Sequence, residues 1–154
     1  SGMEHIALET DRRSVAQENG LLHRNVQGYT LHGDADLLGL GVSAISQLGN
    51  LYAQNHKTLD DWGRDLSQRR LPIEKGFILN RDDQIRRALI IQFLCDLSVD
   101  MSVFSETWGI HFPDYFADAL AEWVTFAARW LVAVAQDRLQ VTDIRRLLSL
   151  PLVM

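Results

Sequence analysis

The stretch NRDDQIRRALIIQFLCDLSVDM, residues 80–101, sets the reading of the rest of the chain. It opens on Asn80, a side chain suited to capping the free amides of a helix start. Asp82 and Asp83 follow in the first turn, where the positive end of the helix dipole favours acids. Ile85, Leu89, Phe93 and Leu97 then recur at four-residue steps, which stacks them on one helical face. Ala88, Ile90, Ile91 and Leu94 widen that face. The pattern predicts a long, well-buried helix running through the whole stretch.

Working toward the C-terminus, SVFSETWG (102–109) predicts a short helix ended by Gly109. PDYFADALAEWVTFAARWL (113–131) has Pro113 near the first helical position and Phe116, Leu120, Trp123, Ala127 and Trp130 at helical spacing. The period then changes. LVAV, AQDR and LQV (131–141) predict a hairpin, and Thr142-Asp143 opens a last helix, 143–150, stopped by Pro151. The order helix, helix, helix, hairpin, helix is winged-helix-like.

Toward the N-terminus, TLDDWGRDLSQRR (58–70) predicts a helix capped by Thr58, with Leu59, Trp62 and Leu66 on one face and Pro72 as its stop. Leu51–Ala53 reads as a short strand. EHIAL (4–8) reads as a buried strand, and the polar run 9–20 as one or two helical turns ending at Gly20. The expected class is therefore α+β and mainly helical.

Between them, residues 21–46, LLHRNVQGYTLHGDADLLGLGVSAIS, follow neither a helical nor a strand period. Gly39 to Ala44 matches the dinucleotide-binding pattern G-x-G-x-x-G/A. That pattern works only when a strand precedes it and a helix follows. Gly49 and Asn50 interrupt any helix here, so the preferred reading is glycines that let a strand bend or pack closely. His23, His32, Asp34 and Asp36 are of metal-ligand type but lack a recognised spacing, and read as surface polar groups. No metal site is expected.

Composition narrows the classes further. At 47% hydrophobic and 23% charged, the 154 residues suit a folded chain rather than a disordered one. A net charge of −5 argues against nucleic acid, which binds through clustered Lys and Arg. The candidate recognition helix agrees, carrying Asp114, Asp118 and Glu122 against Arg129. Arg69-Arg70, Arg86-Arg87 and Arg145-Arg146 read as separate solvated edges. One cysteine, Cys95, rules out an internal disulfide or a four-cysteine cluster within these residues and reads as a core thiol. No apolar run approaches the roughly 20 residues of a membrane span. Cytoplasm is the expected compartment, and no membrane partner is expected.

Five segments in order, HRNVQGYT (23–30), DADLLGLGVSAIS (34–46), YAQN (52–55), LNRDDQIRR (79–87) and HFPDYFADAL (111–120), resemble the C-terminal third of the oxygen-independent coproporphyrinogen III oxidases. The resemblance covers roughly residues 2–142. It implies radical S-adenosylmethionine chemistry in haem biosynthesis: two propionates of coproporphyrinogen III are oxidatively decarboxylated to vinyl groups, giving protoporphyrinogen IX. A [4Fe–4S] cluster cleaves S-adenosylmethionine in that family, and its three cysteines lie in an N-terminal barrel domain. Residues 1–55 are then expected to be the final segment of that barrel, and 56–154 a C-terminal helical domain with a small β-wing. No cofactor is expected on this chain alone, which is expected to be inactive without the barrel.

By the same resemblance Gln27 and Ile45 line the second S-adenosylmethionine site, next to Val26 where the family commonly has Phe. No residue of this chain is expected to be catalytic. Arg24 is a candidate partner for a substrate propionate, since guanidinium matches carboxylate geometry; a structural ion pair is the other reading. The expected partners are the missing barrel and the porphyrinogen. A homodimer through the exposed barrel edge is a further expectation. The rival class is a non-catalytic interaction module binding protein, haem or DNA.

Overall fold

The computed structural model describes residues 10–33, 35–127, 132–135 and 137–141. Helix α1 spans Arg12–Glu18, strands β1 His23–Asn25 and β2 Gly28–Thr30, β3 Ile45–Leu48 and β4 Leu51–Asn55, helix α2 Leu59–Ser67 and strand β5 Ile73–Ile78. Helix α3 follows at Arg81–Asp96, strand β6 at Ser98–Asp100, helices α4 Met101–Trp108, α5 Phe112–Tyr115 and α6 Ala117–Ala127, and strands β7 Val132–Ala135 and β8 Arg138–Val141.

The anticipated long helix is α3. Asn80 Oδ1 accepts the Asp83 N–H at 2.9 Å, and Asp83 Oδ2 accepts the Asn80 N–H at 3.0 Å. This reciprocal box satisfies two amides that the helix ladder cannot reach. The helix ends earlier than its spacing predicts. Leu97 adopts a left-handed conformation, φ 56°, and turns the chain out. Ser98–Asp100 is therefore strand, and Asp100 caps α4 by accepting the N–H groups of Ser102 and Val103.

Two faces of α3 are covered, so its apolar residues do not lie in one stripe. On the first face Ile85, Leu89 and Phe93 join Val99, Met101, Phe104, Phe112, Phe116 and Leu139 in the main core. Phe104 meets Phe112 edge-on at 5.5 Å, and Phe112 meets Phe116 at 4.7 Å between ring centres. On the second face Cys95, with Ile91 beside it, packs on Ala16, Leu22 and Tyr29. Tyr29 Oη donates to the Leu94 carbonyl at 3.3 Å, and Gln17 Nε2 to that of Cys95 at 2.8 Å. Ile90 falls between the two faces and is 40% exposed, contrary to its expected burial.

The helix expected over 113–131 is broken. Phe116 leaves the helical region at φ −111°, ψ 24°, which drives its ring into the core between α5 and α6. The expected hairpin is present as β7 and β8, and β6 joins it antiparallel in the order β6-β8-β7. Val99 and Leu139 face each other in that sheet and are both fully buried. The expected strand at 4–8, the side chains of Trp123, Ala127 and Trp130, and the final helix at 143–150 lie outside the described residues.

The N-terminal half holds a β1–β2 hairpin and a three-stranded antiparallel sheet, order β3-β4-β5. Strand β5 was not legible: all six of its residues are exposed, so no alternation marks it. Because β5 pairs with β4, the sheet crosses residue 55, where the domain boundary was expected. Helix α2 begins at its Thr58 cap, as expected. It ends at Ser67, where the left-handed Arg69 (φ 56°) turns the chain well before Pro72.

Candidate functional site

The irregular stretch 21–46 becomes two hydrogen-bonded units. In the first, β1 and β2 are joined by a tight turn at Val26-Gln27. Asn25 Oδ1 accepts the Gln27 N–H at 2.9 Å, and Gly28 supplies φ +129°, a value side chains avoid. Gln27 stands exposed at the tip. Arg24 pairs across the strands with Tyr29, and its guanidinium lies 5.0 Å from that ring's centre.

In the second unit, residues 37–44 fold back on the sheet. Leu37 and Gln47 exchange backbone bonds at 2.8 Å, the Gly39 N–H donates to Ser46 Oγ at 3.0 Å, and Asn55 Nδ2 donates to the Gly41 carbonyl at 2.8 Å. A Cβ on Gly39 would lie 2.6 Å from the Ile45 carbonyl oxygen, so only glycine allows this approach. Strand β3 follows directly, and no helix does. A dinucleotide loop is therefore excluded, and close packing accounts for the glycines. Ile45, half-buried, begins β3 opposite Gln54.

The metal-type residues have other roles. Asp36 Oδ1 accepts the Gly49 N–H at 2.8 Å, and the His23 ring lies against Gly33, where a Cβ would fall 2.2 Å from Nδ1. His32 is exposed, and Asp34 lies outside the described residues. Among the described residues no three of His, Cys, Asp and Glu are grouped as a metal site would need. His56 Nε2 is 2.9 Å from Asp65 Oδ2, while Arg70 reaches Asp65 Oδ1 at 2.6 Å. The hydrogen bonds from Arg70 and then His56 hold the Asp65 carboxyl below the usual range. Burial pushes the Cys95 thiol up to about 11, which leaves almost no reactive thiolate at neutral pH.

A cleft lies between the β1–β2 hairpin, strand β3 and helix α3. It has two lobes, of about 330 and 370 Å³, which share Arg24, Gln47, Arg87 and Ile91. One lobe is mixed, polar and apolar in equal measure, and reaches His23, Gln92 and Asp96; the other is mostly apolar and reaches Leu79, Ile90 and Leu94. Arg87 donates to the Gly49 carbonyl at 3.0 Å and sits 5.9 Å from the centre of the Tyr52 ring. The Gln47 Oε1 atom is buried without a hydrogen-bond partner among the described residues. Burial pushes the Asp96 carboxyl up, and His23 opposes that. Arg24 lines both lobes; Gln27 and Ile45 line neither.

Sequence reasoning missed Arg87 by pairing it with Arg86. One residue on a helix is a turn of about 100°. Arg86 is accordingly the more exposed of the two and bonds Asp82 at 2.7 Å at the rim of the apolar lobe, while Arg87 is half-buried where the two lobes meet. The available signal was Arg87's place one helical turn before Ile90 and Ile91.

No family model matches the sequence. The fold does match a solved structure at TM-score 0.91 and 44% identity, over 96% of this chain and 34% of the other: coproporphyrinogen III oxidase from Escherichia coli, described as a radical SAM enzyme. This is the fold of one region within such an enzyme. Among curated relatives, the oxygen-independent coproporphyrinogen III oxidases of Escherichia coli and Pseudomonas aeruginosa are 44% and 43% identical over 147 residues, 96% of this chain. The chain is a homologue of the oxygen-independent coproporphyrinogen III oxidases, and it spans about a third, 32%, of the length of these relatives. No helix among the described residues is long and apolar enough to cross a membrane.

Proposed function

We propose that this chain supplies the C-terminal third of a cytoplasmic oxygen-independent coproporphyrinogen III oxidase, which converts coproporphyrinogen III to protoporphyrinogen IX in haem biosynthesis. The observation that carries the reading is the match itself, 44% identity at TM-score 0.91 over 96% of the chain. A non-catalytic interaction module is not favoured by it.

The residues present do not suit a [4Fe–4S] cluster. Cys95 is the single cysteine, is 1% exposed and has a raised pKa. The cluster, and the S-adenosylmethionine it cleaves, belong to the other two thirds of the enzyme. Residues 1–55 are the last segment of the catalytic domain, and strand β5 ties the start of the following domain to it through the β3-β4-β5 sheet. Residues 56–154 carry the winged-helix-like part: α3, β6, α4, α6, β7 and β8 follow in that order, with a three-stranded β6-β8-β7 sheet. This part covers the active-site mouth and helps keep water from a radical.

Gln27 and Ile45 form one wall of the second S-adenosylmethionine site. The Gln27 amide both donates and accepts, and its exposed position at a turn fixed by Asn25 and Gly28 lets it meet a ligand held by the other domain. Ile45 packs the ligand's apolar surface, at the place where Gly39 brings the 37–44 loop against the strand. The barrel completes the apolar surface that this part leaves uncovered. Leu38, Leu40, Leu71, Phe77 and Ile78 are each more than half exposed, more than isolated surface chance explains. Without the barrel, that surface pairs copies of the chain.

The test is a chimera in which this chain replaces the matching third of the Escherichia coli enzyme. Anaerobic decarboxylation of coproporphyrinogen III is expected, with turnover lost on Gln27→Ala. A chimera that folds and holds its cluster but leaves the propionates intact overturns the proposal.

A further inference from the structure

We infer that Arg87 is a positioning residue: it latches the β3–β4 hairpin to α3 and so sets where Ile45 stands. Its consequence for the enzyme rests on the proposed place of Ile45 beside the second S-adenosylmethionine.

The β3–β4 turn is held from the α3 side at two adjacent carbonyls. The Leu79 N–H, just ahead of the helix, donates to the Asn50 carbonyl at 2.8 Å. Arg87, inside the helix, donates from Nη1 to the Gly49 carbonyl at 3.0 Å. A single hydrogen bond leaves a hairpin free to swivel; a second, from a separate point, removes that freedom. Both ends of the latch are themselves fixed. Leu79 is buried, and its carbonyl accepts from Gln84 Nε2 at 3.1 Å. Gly49 is left-handed, φ 55°, and its N–H donates to Asp36 Oδ1 at 2.8 Å.

Arg87 also lies 5.9 Å from the centre of the Tyr52 ring, with Nη1 3.5 Å from Tyr52 Oη. Tyr52 pairs with Gln47 on β3 and with Phe77 on β5, so the guanidinium holds the middle of the sheet as well as its turn. Little packing opposes a swivel there, because the two-lobed cleft lies between β3 and α3. Ile45 begins β3, and the strand carries any tilt of the turn to it. At ~3.3 Å per residue the lever is roughly 13 Å, so a swivel of about 5° moves Ile45 by about 1 Å, enough to spoil a fitted contact. A lysine in place of Arg87 can bond the Gly49 carbonyl but cannot lay a planar group on Tyr52.

Two measurements on Arg87→Gln test this. In the chain alone, the Ile45 methyl NMR signals should move or broaden while those of Ile85, on the main-core face of α3, stay. In the chimera with the Escherichia coli enzyme, the KM for S-adenosylmethionine should rise about tenfold, with kcat and the KM for coproporphyrinogen III held within about twofold. Arg87→Lys should recover part of the loss, and should decide by the same readings if Arg87→Gln does not fold. Because Arg87 acts through Ile45, Arg87→Gln should add little to the effect of Ile45→Ala. Unmoved Ile45 methyls overturn the inference. So does a fall in kcat with KM unchanged, the mark of a general loss of structure, and so does full additivity of the two substitutions. Moved methyls in an enzyme where Ile45→Ala leaves that KM unchanged uphold the latch and remove Ile45 from the second S-adenosylmethionine site. An inactive chimera counts against the proposed function alone, and the methyl signals then decide the latch.

Discussion

Residues 37–78 and residues 80–141 solve the same problem in opposite ways. In the second region, nine buried side chains from three helices, two strands and the α5–α6 junction close one core, with Phe112, Val99 and Leu139 at 0% exposure. In the first, α2 buries none of its residues, and β5, an edge strand, is exposed along its whole length. Its buried residues are few, Ser46, Ala53 and Asn55 among them, and hydrogen bonds from polar side chains do much of the binding. The first region keeps leucines and a phenylalanine in water, which supports the proposed interface with the rest of the enzyme; the second hides most of its large apolar side chains.

The widest gap between the regions is expected from a pair of core-size tests. Phe112→Ala should destabilise the chain by about 3–5 kcal/mol in urea unfolding, the range for emptying a fully buried aromatic site. Phe77→Ser, at a residue 57% exposed, should change stability by no more than about 0.5 kcal/mol. Similar losses at both sites would break the contrast.

Two glycines sharpen it at smaller scale. Gly39→Ala must push Cβ into the Ile45 backbone and should cost about 1–3 kcal/mol. Gly63→Ala, in α2 with open space around it, should instead raise stability, by about 1 kcal/mol at most. Asn80→Ala, removing one half of the α3 capping box, should cost about 1 kcal/mol by the same unfolding assay.

The smallest effect concerns Asp65. Its folded pKa is depressed below the ordinary 3.8, so its contribution is present above that value and lost as pH falls through the lower, folded one. Arg70→Ala should move the Asp65 titration upward toward 3.8, read by carboxyl NMR shifts. An unmoved titration would mean that the ion pair does not hold the loop after α2.

The C-terminal region was the legible one, for the same reason that it is stable. Ile85, Leu89 and Phe93 repeat at helical spacing because they line the one of the two covered faces of α3 that meets the main core, and Gly109 marks a real left-handed stop. The break at Phe116 was not legible, because Phe116 serves the core equally well from a helix or from a junction. In the N-terminal region β5 gave no pattern, since neither face is covered. Of the candidate site, Arg24 was named from the sequence, but Arg87 and Gln47 were not: they meet Arg24 only when β3 and α3 are brought together. The homologous family, by contrast, was carried by short segments such as HRNVQGYT and LLGLGVSAIS, whose glycines and Asn25 have specific backbone duties.

Amide hydrogen exchange across both regions tests the central claim most directly, comparing the chain alone with the chain fused into the matching Escherichia coli enzyme. In the chain alone, α3 amides should exchange slowly while those of β5 and α2 exchange near the unprotected rate. In the fused enzyme, β5 and α2 should gain protection and α3 should hardly change. Strong protection of β5 in the isolated chain, or none gained on fusion, would contradict the view that this region is one half of an interface.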